Sequence, residues 1–278
     1  MSRCCYSFAF IICTLSVLCR SADDDVASRQ RLKLMESDIA ELAVSSTSSV
    51  ATRESLRFNS KPLLRYSDPT RGLTEANVLM DATVWRLGER GRPTGLVTLE
   101  LYRSDATQGV LAYEFLSLSP DHLSMQHRMA PRIKWDSTES ALKLSPVPDA
   151  PKPAMVAGAR LLQLRQLSKR FTVRERLLNS EAIECRLLTQ PIDRYESSEP
   201  EIMDGAIFAF ANGTNPELGL IIECNRDQWS YGVVRLSAAE TRAYLDGKEV
   251  AHCPLTNGVE STKGSYASNN RVIQLPAP

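Results

Sequence analysis

The chain lacks an excess of charge of either sign, because its 278 residues hold 33 Lys plus Arg and 33 Asp plus Glu. A general nucleic-acid-binding protein usually carries a basic surplus, so this balance predicts no nucleic-acid partner. Hydrophobic residues make up 43% of the chain and charged residues 24%, which is typical of a globular protein.

Catalytic and nucleotide-binding motifs are also missing. The sequence contains neither a G-x-S-x-G nucleophile elbow nor a Walker glycine loop. His252 and Cys253 do not form a nucleophile–base pair, since neighbours on a strand point to opposite faces. We therefore predict no catalytic residue, although a hydrolase with paired carboxylates stays open as an alternative. Its candidate acids lie at the rim of the predicted sheet: Glu181, Glu184, Asp193, Glu196 and Glu199.

Metal ligands are scarce. The chain has three histidines, and an offset of five puts His122 and His127 on opposite faces of a strand. Four of the seven cysteines lie within the first 19 residues, which leaves Cys185, Cys224 and Cys253. Their spacing matches no zinc motif, so we predict no metal, no cofactor and buried free cysteines.

The first residues resemble an export signal. A single Arg3 precedes an apolar run from Tyr6 to Leu18, which is short for a membrane span. Cys19, Arg20 and Ser21 then stand before a cleavage site at Ala22. Residues 1–21 are therefore predicted to be a cleaved signal peptide, and the protein to be periplasmic or extracellular. A retained membrane anchor is the alternative, and no transmembrane segment is expected after cleavage.

Hydrophobic periodicity divides the remainder into segments. We predict an N-terminal helix and Ser/Thr-rich linker over 22–60, a single domain over 61–253 and a flexible tail over 254–278. The domain contains a strand run, a proline-rich connection, a helix and a second strand run, at 77–130, 145–154, 155–178 and 181–253. Strand–helix–strand alternation is absent, so the expected class is α+β. A large antiparallel sheet is predicted to pack against one long central helix, with a separate N-terminal helix; one sheet or two stays open.

The predicted central helix carries the stretch "ARLLQLRQLSKRFTVRERLL", Ala159 to Leu178. As a helix, it places apolar side chains on one stripe: Leu164, Leu167, Phe171 and Leu178. On the opposite side it places the cations Arg165, Lys169 and Arg176. Such a helix either docks on the sheet with its arginines solvated or paired, or binds an anionic surface. We favour the docked interpretation.

Several stretches resemble a family of exported bacterial proteins without an assigned function. They are "EFLSLSPDHL", "LRQLSKRF", "RLLTQPIDRYE", "DGAIFAFANGTNPELGLIIE" and "YLDGKEV", in this order along the chain. The resemblance implies one inherited unit from the first strand run to the last. It supplies no catalytic residue.

These observations favour an exported, non-catalytic binding or interaction protein. Its partner is expected to be a small molecule or an envelope protein, and a pocket between sheet and helix could hold an apolar ligand. The alternatives are an extracytoplasmic hydrolase and an anionic-surface binder acting through 159–178. The candidate ligand-binding residues are Arg165, Lys169, Arg176, Trp229 and Tyr231, the last two as aromatics near the end of the sheet.

Overall fold

A computed structural model describes residues 22–46, 56–68, 78–177, 180–197, 201–256 and 262–275. The predicted signal peptide lies outside these residues, as does linker segment 47–55. Two helices occur in the described ranges, α1 (Ala22–Ala40) and α2 (Ala157–Ser168). The first eight strands are β1 (Leu42–Ser46), β2 (Leu64–Asp68), β3 (Val78–Leu87), β4 (Gly95–Arg103), β5 (Gln108–Ser117), β6 (Leu123–His127), β7 (Lys134–Ser137) and β8 (Ser145–Pro146).

Nine more strands follow α2. They are β9 (Phe171–Arg176), β10 (Ile183–Leu187), β11 (Asp193–Ser197), β12 (Ile202–Asn212), β13 (Asn215–Cys224), β14 (Trp229–Arg235), β15 (Glu240–Leu245), β16 (Lys248–Cys253) and β17 (Tyr266–Gln274). The described strands form three sheets, each with antiparallel pairing. Their orders are β1-β6-β7, β17-β5-β4-β3-β2, and β16-β15-β9-β10-β12-β13-β14-β8 with β11 also paired to β12. The α+β class with antiparallel sheets is therefore confirmed, and the open question of one sheet or two is answered by separate sheets for the two strand runs.

The sheets and helices stack in layers. One face of the five-stranded sheet shares a core with α1 and the three-stranded sheet, through Met35, Phe115 and Trp135. Its other face packs on the nine-stranded sheet, where Leu116 joins the cluster that contains Ile207. The far side of the nine-stranded sheet is covered by α2. Apolar residues occupy both faces of β12 because the strand is covered on both sides.

The predicted central helix over 155–178 is wrong in its second half. Helix α2 ends at Ser168, and the chain enters β9 at Phe171. Buried Phe171 and Val173 alternate there with exposed Thr172 and Arg174, which is the period of a strand. Because β9 pairs with β10 on one side and β15 on the other, these ladder hydrogen bonds outweigh the local helical spacing of the leucines.

Two terminal predictions also need correction. The N-terminal helix is not separate, since Met35 and Ile39 of α1 are buried in the first core. The tail is not flexible throughout: Tyr266–Gln274 forms β17 and pairs with β5 from Gln108 to Leu116. Polar residues hide this edge strand from sequence analysis, because it buries few apolar side chains. Neither described helix combines the length and apolarity that crossing a bilayer requires.

Candidate binding cleft

The cations of the predicted basic helix do not share a face. Arg165 lies on α2 and donates to the side chain of Gln190, while Lys169 is the helix C-cap. Arg176 lies on β9, and its Nη2 is 2.6 Å from Oε2 of Glu240. The three cations therefore do not form the single basic helix face that was expected to bind an anionic surface.

Both candidate aromatic residues contribute to packing. Trp229 is 1% exposed and belongs to the core beneath α2. Half-buried Tyr231 packs on Phe171 with ring centroids 5.0 Å apart. Neither side chain lines any of five cavities formed by the described residues. These aromatics stabilise the sheet rather than form a ligand platform.

Buried His127 has both ring nitrogens engaged. Its Nε2 is 3.3 Å from Oδ1 of Asp38, and its Nδ1 accepts backbone N–H groups from Met129 and Ala130. Nδ1 must therefore be unprotonated, and the ring donates through Nε2. Through these contacts the histidine joins α1 to β6.

The carboxylates predicted at the sheet rim do not form a catalytic pair. Asp193 is 2.7 Å from Nη1 of Arg86, whereas Glu181 and Glu184 are exposed to solvent. Glu199 lies outside the described residues. No group of three His, Cys, Asp or Glu side chains that could hold a metal ion occurs within the described ranges. All three described cysteines are free, and burial raises the pKa of Cys224 to about 12.

A set of glutamates lies between the two larger sheets. The hydroxyl groups of Tyr66 and Tyr102 donate to the two oxygens of Glu100, and Tyr266 donates to Glu114 at 2.8 Å. Burial and the nearby Glu100 hold the pKa of Glu114 well above its usual range. Neither glutamate lines any of these five cavities, and the carboxyl groups of both are already engaged by tyrosine hydroxyl groups.

The largest of these cavities is an open cleft of about 1170 Å³ at one end of the two larger sheets. Five chain segments meet there: the β3–β4 loop, the start of α2, the end of β11, the start of β12 and the β13–β14 turn. Its charged lining consists of Arg90, Arg160, Arg226, Glu196 and Glu201. Met155, Ile202 and Met203 supply apolar surface.

Buried ion pairs hold the walls of the cleft in place. Asp204 accepts from Nε of Arg160 at 2.9 Å and from Nη2 of Arg194 at 2.6 Å. Arg160 also donates to three backbone carbonyls, so its guanidinium group is occupied. Behind the cleft, Glu223 accepts hydrogen bonds from Arg92 and from Tyr195. Such charge-assisted networks preorganise the surface that they support.

The rim of the cleft keeps groups available for a ligand. Exposed Arg90 makes no ion pair in the part of the chain that the structure describes, and exposed Glu196 is attracted only to Arg194, which is itself paired with Asp204. Arg226 and Glu201 pair at 2.8 Å, but both side chains are more than half exposed, so the pair is weak. Met155 is 82% exposed and adds apolar surface to the rim.

Sequence analysis proposed Glu196 only as a rim acid and missed the other lining residues. Arg90 lies in the turn "ERGRPT", and Met155 follows the proline-rich connection. Neither position has a pattern that predicts its neighbours. Only the antiparallel pairing of distant strands brings them together.

Comparisons with known proteins add no relative. No protein-family model matches the chain, and neither a curated protein nor a solved structure matches it.

Proposed function

We propose that this protein is an exported, non-catalytic binding protein that holds its ligand in the cleft between the β3–β4 loop and α2. The supporting observation is an open cavity of about 1170 Å³ whose walls are fixed by buried ion pairs while its rim carries uncommitted groups. Binding sites combine a preformed concave surface with a few polar groups that orient the ligand.

The alternative of hydrolysis has less support. A hydrolase needs an acid and a base, or a nucleophile and a base, facing one substrate position. In the described cleft the ionisable groups are arginines and glutamates without histidine, cysteine or tyrosine. The carboxyl group with the strongly raised pKa, Glu114, lies between the sheets instead.

Export is the second part of the proposal. It rests on the apolar run from Tyr6 to Leu18 and the small residues before Ala22. The intact mass of protein recovered from its native host should correspond to a chain that begins near Ala22. A chain that retains Met1 would contradict the proposal of a cleaved signal.

A thermal-stabilisation screen tests binding in the cleft. Protein beginning at Ala22 is heated with fractions of small molecules and peptides from cell envelopes, because a ligand of the folded state raises the unfolding temperature. We expect active fractions to lose their effect on Met155→Ser, which removes apolar surface at the rim. Met129→Ser is the matched control, since Met129 is 78% exposed and lies outside the cleft.

Mass spectrometry of the bound ligand distinguishes binding from catalysis. Recovery of an unchanged ligand supports a binding protein, and its conversion during incubation contradicts one. Stabilisation that persists in Met155→Ser would place the ligand elsewhere.

A further inference from the structure

The cleft is large for a single small metabolite. Pockets for small ligands usually measure about 300–1,000 Å³ and enclose most of the ligand. This cavity measures about 1170 Å³ and is open to solvent. A ligand that is only partly enclosed and extends beyond the cleft fits a large open cavity better than a fully enclosed compound.

The uncommitted charges of the cleft have both signs. Arg90 and Glu196 flank the place where the β3–β4 loop contacts β11, since a Cβ on Gly91 would be 3.4 Å from Ser197. A purely anionic ligand would face Glu196, and a purely cationic one would face Arg90. A ligand that carries one charge of each sign satisfies both groups.

Apolar surface lies between and beside these charges. Met155 projects from the segment before α2, and Ile202 and Met203 begin β12. Methionine side chains adapt to differently shaped apolar partners, so they suit a ligand with variable side chains.

We propose that the ligand is a peptide segment that carries an acidic and a basic side chain together with apolar residues. This proposal rests on the proposed function and deepens it. The acidic side chain pairs with Arg90 and the basic one with Glu196, while Met155 contacts the apolar residues. The exposed Arg226–Glu201 pair can exchange its partners for the same groups, because exposed ion pairs contribute little.

Fluorescence polarisation with four pools of blocked hexapeptides tests the proposal. In every pool, four positions of the peptide are leucine or alanine. The other two positions are Glu and Lys in the first pool, two Lys in the second, two Glu in the third and two Gln in the fourth. We expect the Glu–Lys pool to bind about fivefold more tightly than the others, as two partly exposed ion pairs allow. Equal binding of all four pools would overturn the charge assignment.

Charge reversal assigns the contact to Arg90. In Arg90→Glu the two-Lys pool should become the preferred pool, because the cleft then presents two acids. The matched control is Arg103→Glu, since Arg103 is also exposed but ends β4 at the opposite end from Gly95. A variant Arg90→Glu that keeps the original preference would contradict the proposal.

The results distinguish a failure of the proposed peptide ligand from a failure of the proposed binding function. If no peptide pool binds while a ligand from the envelope screen still depends on Met155, the peptide class is wrong and the binding function stands. If neither peptides nor envelope fractions bind, both proposals fail.

Discussion

Nε of Arg160 lies 2.9 Å from Oδ2 of Asp204, which fixes the first turn of α2 to the start of β12. Both side chains are more than nine-tenths buried, and Asp204 also forms an ion pair with Arg194. This ion pair makes one wall of the proposed cleft rigid, because Arg160 also donates to the carbonyl groups of Ala154 and Met155 at the rim of the cleft.

Removing Asp204 should therefore destabilise the protein strongly. Asp204→Ala leaves Arg160 buried without a counter-ion, and we expect a loss of about 3–5 kcal/mol in the free energy of unfolding. Urea titration measures it as a lower midpoint at an unchanged slope. The control is Asp227→Ala, whose exposed pair with Lys152 spans 3.8 Å and should contribute less than about 1 kcal/mol. Equal losses in the two variants would show that the buried pair does not hold the cleft.

Two leucines on α2 distinguish its packed face from its solvent face. Leu164 is fully buried in the core, whereas Leu162 is 57% exposed. Leu164→Ala should destabilise the fold by about 2–5 kcal/mol because it leaves a cavity, and Leu162→Ala should change it by less than about 0.5 kcal/mol. Unfolding by denaturant measures both variants, and the reverse order would contradict the docking of α2.

The glutamates between the sheets predict a pH dependence of stability. Burial raises the folded-state pKa of Glu114, so the folded protein binds more protons than the unfolded chain above about pH 4.3. The contribution of Glu114 to the free energy of unfolding is therefore fully present below that pH, and it is lost as the pH rises through the raised pKa. Thermal unfolding from pH 5 upward should show this decline, and Glu114→Gln should flatten it because glutamine stays neutral.

Glu240→Gln is the control for that pH series. Hydrogen bonds from Arg176 lower the pKa of Glu240, so its contribution changes only below its ordinary titration range. Above pH 5, the dependence of the unfolding temperature of Glu240→Gln on pH should have the same shape as that of the unsubstituted protein. A Glu114→Gln profile as steep as the original would contradict our account of the sheet interface.

Strand β17 should be required for folding. Deleting residues 262–278 exposes the edge of β5 and removes buried Ala267 together with the contact between Arg271 and Asp38. We expect the shortened chain to aggregate or to lose its cooperative thermal transition. Deletion of 276–278 alone is the control and should leave the transition in place. A truncated chain as stable as the control would show that β17 is dispensable.

Strong periodicity made part of this fold predictable. Hydrophobic periodicity placed strand runs over 77–130 and 181–253, and strands β3 to β6 and β10 to β16 lie within them, because side-chain alternation is a local property. The error at Phe171 arose where two periods competed. Spacings of three and four between leucines favoured helix, while β15, one of the two partners of β9, is distant in sequence and leaves no local signal.

The proposed cleft was less predictable than the strands. Residues from the β3–β4 loop and from the β13–β14 turn meet there although more than one hundred positions separate Arg90 from Arg226. Local pattern cannot report which arginines are occupied by buried acids. Arg160 and Arg90 both line the cleft, yet only Arg160 is held by Asp204.

Amide hydrogen exchange with and without a ligand from the stabilisation screen tests the central claim most directly. A ligand in the cleft should slow exchange at residues 88–92, 154–160 and 201–203, and leave the exposed face of β9 and β15 unchanged. Protection confined to β9 and β15, with none around the cleft, would contradict the account.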